Sequence, residues 1–193
     1  MSLRDLVTQH LGSSAIIAAA AAVLDARING TRLDPRLQAR IDDLFVSLGI
    51  TDLTEGLSDP EMRQLLGEIR FITLLDTKLL FPQNLSLAWN HNETGILQAG
   101  ADVSAGFAEA LKHKVAPNLS GLGERLESGN ATFLDVGVGA AGLAIAMTRL
   151  WPSLKVVGID LWPPSLALAR DNLMRHEREL VEHALAYLAR GRQ

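Results

Sequence analysis

No cysteine occurs anywhere in the 193 residues. That excludes a disulfide framework, a thiol nucleophile and a thiolate metal site together. The five histidines are scattered and form no HExxH-like pair, so no metal is expected. Positive charge is also short: 18 Lys and Arg against 22 Asp and Glu leave a net charge of −4. Without a basic stripe to meet phosphates, nucleic acid is not an expected partner. Long hydrophobic runs are missing too. The most apolar stretch, Ala15–Leu24, is mostly alanine and falls far short of the ~20 residues that span a bilayer. Arg4 ahead of it gives a superficial likeness to a secretory leader, but Asp5 offsets that charge. The expectation is a cytoplasmic chain with no membrane partner.

What is present suits a packed globule, since 48% of the residues are apolar. The first half reads as helical. Leading residues form one or two helices ending near Asn29-Gly30, where glycine offers a left-handed cap. The alanine-rich face suits a domain interior or a dimer seam. Asp34-Pro35 places an N-cap aspartate before a first-turn proline, and Leu37, Ile41, Leu44, Phe45 and Leu48 follow at helical spacing. Asp59-Pro60 repeats the signal, and Met62, Leu65, Leu66, Ile69, Ile72, Leu75 and Leu79 mark a long helix to Leu80. These stripes read as plain core.

Residues 83–101, rich in amides and glycine, read as an irregular crossing that leads into a helix over 104–114. His91 lies in it as a lone loop histidine, a candidate proton acceptor near pH 7. Glycines and Pro117 then punctuate Ala116–Asn130, after which the apolar pattern turns strand-like. The domain boundary is placed there, giving residues 1–115 and 116–193.

The second part is organised around Ala131–Leu173. Thr132–Val136 is a short apolar run that reads as a buried strand. Gly137-Val138-Gly139-Ala140-Ala141-Gly142 follows, then a helix to about Leu150 that Pro152 stops. Lys155–Asp160 makes a second strand, and Pro163-Pro164 opens another helix. This is a β–α–β unit with G-x-G-x-x-G at its first turn and an acid at the tip of its second strand. Gly137 permits the tight turn, Gly139 lets backbone approach a ligand, and Gly142 lets the helix pack close to the strand. Asp160 stands where a carboxylate can take both hydroxyls of a ribose.

Asp135 narrows the choice of ligand. A dinucleotide would bring its pyrophosphate to the loop, where a carboxylate repels it in a low-dielectric cleft. S-adenosylmethionine carries a sulfonium and an ammonium, which a carboxylate favours. The run Leu134-Asp135-Val136-Gly137-Val138-Gly139-Ala140-Ala141-Gly142, with Val156-Val157-Gly158-Ile159-Asp160, resembles class I S-adenosylmethionine-dependent methyltransferases.

The resemblance implies roles. Asp135, Gly137, Val138, Gly139 and Gly142 would line the methionine moiety, Asp160 would hold the ribose, and Leu161 or Trp162 would lie against the adenine. In relatives with a helical N-terminal domain the preceding region borders the cofactor and substrate, which brings in Gln98, Gly100 and Ser104. The fold class it implies is α/β: a mostly helical N-terminal domain, on the dimerisation and substrate side, then a Rossmann-like βαβα unit with parallel strands. That unit is truncated, because residues 174–190 continue in a helical pattern where the family would turn into a third strand.

The implied function is methyl transfer to a small-molecule acceptor, by a chain that is an N-terminal portion or truncated form and a homodimer. Two alternatives stand beside it: a non-catalytic dimerising relative with a vestigial cofactor site, and an NAD-type dinucleotide-binding protein.

Overall fold

A computed structural model describes residues 3–80 and 90–175 of the chain. Seven α-helices and two strands order as α1 (Leu3–Asn29), α2 (Pro35–Ser47), α3 (Asp59–Leu80), α4 (Thr94–Ala110), α5 (Leu122–Glu127), β1 (Thr132–Val136), α6 (Gly142–Leu150), β2 (Lys155–Ile159) and α7 (Pro163–Arg175) among the described residues. The chain divides into two compact units, Met1–Ile69 and Arg70–Gln193.

In the first unit, α1 is a single helix, and Gly30 leaves it with a φ of 62°. Asp34 caps α2: its carboxylate accepts from the Arg36 and Leu37 backbone N–H groups at 2.9 and 3.3 Å. At α3 the cap lies one residue earlier than the Asp59-Pro60 signal suggests. The Ser58 backbone N–H and hydroxyl both donate to Glu61 Oε2, at 2.8 and 2.6 Å, so Glu61 reaches back over the first turn as in a capping box. Leu24 of α1 is fully buried with Met62 and Leu66, and Ala21, Ile28, Leu57 and Ile69 pack around them. The apolar stripe of α3 does not stay in a core along its length. Ile72 and Leu79 are exposed, beyond the point where Met62 and Leu66 are buried.

The second unit is built on a parallel pair, β1 beside β2, in register from Thr132 opposite Lys155 to Val136 opposite Ile159. Helix α6 connects them, α4 runs against α6, and α7 follows β2. The main core joins Ala144 and Met147 of α6, Trp151, Leu154, Val156 of β2, and Leu166 and Ala169 of α7. Burying each of the larger of these contributes about 1.5–3 kcal/mol.

Three expectations need correction. Helix α4 begins at Thr94, not near residue 104, because Gly95 and Gly100 are packing positions rather than breaks. A Cβ at Gly100 would stand 3.4 Å from the Phe71 ring, and Ile96, Leu97, Ala99 and Ala101 are buried. After Ala110 the helix widens into one π turn, Leu111–Val115, and a short 3-10 turn carrying Pro117. Next, β1 is not the buried strand its apolar run suggests: Leu134 and Val136 are 55% and 72% exposed. Third, Gly142 faces a helix, not a strand. A Cβ there would overlap the Ala101 carbonyl group of α4, so the glycine sets how closely α6 and α4 approach. The crossing residues 81–89 and the helical pattern past Arg175 lie outside the described residues.

Compactness follows this α4–α6 contact. It groups residues from Arg70 onward with the strands, whereas the change from helical to strand-like pattern falls at 116–130.

Candidate cofactor site

The glycine loop folds back over the tip of β2. Gly137 takes a φ of 81°, a conformation that only glycine adopts without strain, and turns the chain so that its N–H and that of Val138 both donate to the Ile159 carbonyl, at 2.8 and 3.0 Å. Gly158 makes room on the other strand. A Cβ at that position would sit 2.6 Å from a Val138 methyl carbon, a requirement the motif reading missed.

Asp160 ties the turn together. Its Oδ2 accepts from the Gly139 N–H and its Oδ1 from the Trp162 N–H, both at 2.8 Å. Each oxygen keeps further acceptor capacity, so the carboxylate is held in one orientation while remaining able to bind.

A cavity of about 440 Å³ opens beside this loop, within the range of small-ligand sites. Gly137, Val138, Gly139 and Ala140 of the loop, Asp160, and Ser165 at the start of α7 line one part. Leu97, Gly100, Ala101 and Ser104 of α4 and Phe71 of α3 line the rest. Of the residues singled out from sequence, Gly100, Ser104, Gly137, Val138, Gly139 and Asp160 therefore meet at one cavity. Phe71, Leu97 and Ser165 were not foreseen. Phe71 and Leu97 carry only ordinary helix-core signals, and Ser165 only that of a first-turn residue.

The others stand elsewhere. Asp135, near the end of β1, does not line the cavity. It is half-buried, and burial together with the nearby Asp160 carboxylate raises its pKa above the ordinary value. Gly142 contacts α4, and Leu161 is 76% exposed. The Trp162 indole N–H donates to the His91 carbonyl at 2.7 Å, while the ring packs on Leu97, Ala101, Ala140 and Leu168. Gln98 joins a partly buried hydrogen-bond chain. Asn172 of α7 donates to Gln98 Oε1 and to the Ala140 carbonyl, each at 2.9 Å, and Gln98 donates to Asp102.

His91 is not a cavity residue either. The Lys78 ammonium, which only donates, lies 3.1 Å from its Nδ1 and 2.7 Å from Glu93, and that bond holds the Glu93 carboxyl below its usual pKa range. The accepting Nδ1 is thereby occupied. No cluster of three metal-ligating side chains occurs among the described residues, and no described helix is long and apolar enough to cross a membrane.

No family model matches the chain. It is similar over a short stretch to the release factor glutamine methyltransferase of Geobacter sulfurreducens, 41% identical over 46 residues. That stretch is 24% of this chain and 16% of the relative, so the chain covers only a small part of that enzyme's length. The relative is named as a methyltransferase, and the similarity is confined to this short stretch.

Proposed function

We propose that the chain carries the S-adenosylmethionine-binding part of a class I methyltransferase acting on a small-molecule acceptor. The observation that carries this reading is the placing of Gly137, Gly139 and an oriented Asp160 around one ligand-sized cavity. Asp160 would hold the ribose, and the unshielded backbone of the loop would admit the chain of the methionine part. When bound, the cofactor supplies an electrophilic methyl group on a positively charged sulfur.

The charge around the loop supports this cofactor over a dinucleotide. Burial, and with it the nearby Asp160 carboxylate, disfavours ionisation of Asp135. A cation brought near relieves that repulsion, and a pyrophosphate would add to it. Transfer itself rests on proximity and orientation, and no base on this chain is assigned to it. Equilibrium calorimetry tests the choice. S-adenosylmethionine or its demethylated product should bind more tightly than NAD, and NAD as the tighter ligand would overturn the reading.

The uncovered face of β1 favours a second proposal, that the chain self-associates as a homodimer and is not a self-sufficient monomeric catalyst. Exposed Leu134 and Val136 stand on a strand with an open edge among the described residues. Sedimentation at micromolar concentration, run beside a methyl-transfer assay, should give associated species; a monomer with turnover would refute it.

A further inference from the structure

Three polar side chains line the cavity: Ser104, Asp160 and Ser165. Two are engaged by the protein. The Ser104 hydroxyl donates to the Ala101 carbonyl at 2.9 Å, and both Asp160 oxygens accept backbone N–H groups. Ser165 differs. The residue is 2% exposed, and its hydroxyl has no hydrogen-bond partner among the described residues. Yet no buried side-chain oxygen or nitrogen among them is left unpartnered. The two facts are compatible if the Ser165 oxygen keeps some accessible surface, and the residue lines the cavity, where a ligand would meet it.

A hydroxyl there both donates and accepts. It belongs to the first turn of α7, just past the Asp160–Trp162 turn, and it and Asp160 both line the cavity. An alanine would fill the space equally well without the polar atom. We infer that Ser165 is a specificity-determining residue for a nucleoside ligand, its hydroxyl hydrogen-bonding one hydroxyl of the ribose that Asp160 holds. This rests on the reading of the cavity as an adenosine-cofactor site.

The pairing has a checkable form. A ribose hydroxyl read by Ser165 matters only while both hydroxyls are present, so removing either partner should lose the same interaction. S-adenosylhomocysteine and its 2′-deoxy and 3′-deoxy analogues are titrated into the parent and into Ser165→Ala. Ser165→Ala should bind S-adenosylhomocysteine roughly 3- to 10-fold more weakly, the size of one neutral hydrogen bond. One deoxy analogue should bind the two proteins equally. A merely structural role would weaken all three ligands by one factor, and that result, or unchanged affinity, overturns the assignment. If the parent binds none of the three, the nucleoside reading of the cavity fails first and the Ser165 assignment falls with it.

Discussion

Gly142→Ala is the sharpest probe of how the second unit is assembled. A Cβ at this position would overlap backbone atoms of Ala101, which cannot swing aside as a side chain can. Helix α6 must therefore move off α4, opening this close contact. Overpacking of this kind costs about 1–3 kcal/mol or more. Replacing glycine by alanine in a helix interior returns at most about 1 kcal/mol of propensity. Backbone overlap puts the cost at the upper end of that range, so the net expectation is destabilisation of about 2 kcal/mol or more, a fall of several degrees in thermal midpoint at about 2–4 °C per kcal/mol for a chain of this size. Gly123→Ala supplies the control, because nothing lies within 4 Å of a Cβ built there on α5. It should be neutral or stabilising. Unfolding followed by tryptophan fluorescence is suited to the comparison, since Trp151 ends α6 and is 3% exposed. If Gly142→Ala unfolds at or above the parent midpoint, the close approach of α6 to α4 is wrong.

Three other changes act on the site. Asp160→Ala should weaken S-adenosylmethionine binding by about 1.5–3 kcal/mol, the worth of a charged hydrogen bond, with circular dichroism unchanged; equal affinity would refute its role. Asp135 has its pKa raised by burial and by Asp160, so the folded state holds its proton more tightly than the unfolded chain does. Stability from this group is thus full at low pH and falls as pH rises from the ordinary value of 3.8 through the raised one. Asp135→Asn should therefore be more stable than the parent at neutral pH, with the gain vanishing in acid, and cofactor affinity should drop as Asp135 takes up its proton. Urea titrations across pH check the first and calorimetry the second. Asn172→Asp sets a carboxylate against the Ala140 carbonyl, which cannot reorient, and should cost about 1–3 kcal/mol in urea unfolding and loosen the cofactor.

The motif region was legible because each requirement is local. Strand, glycine turn and terminal acid follow one another within Thr132–Asp160, and β1 was bounded correctly from composition alone. The Asp34 cap was equally local. What escaped depends on partners distant in sequence. Gly95 and Gly100 look like loop residues until Leu74 and Phe71 are seen beside them, and Gly142 looks like a strand-packing glycine until α4 arrives. Ser165 carries no motif at all; only the cavity reveals it. Asp135 was placed at the ligand by its spacing, and the pleat puts it in a half-buried position outside the cavity lining.

The central claim is that the cavity bounded by the glycine loop and Asp160 takes an adenosine cofactor. Nitrogen-15 NMR of the chain during titration with S-adenosylhomocysteine tests it residue by residue. The Gly139 and Trp162 amides donate to the carboxylate that would hold the ribose, so they and Gly137 should shift first and furthest. Saturable binding that leaves those three amides in place while moving others would contradict the account.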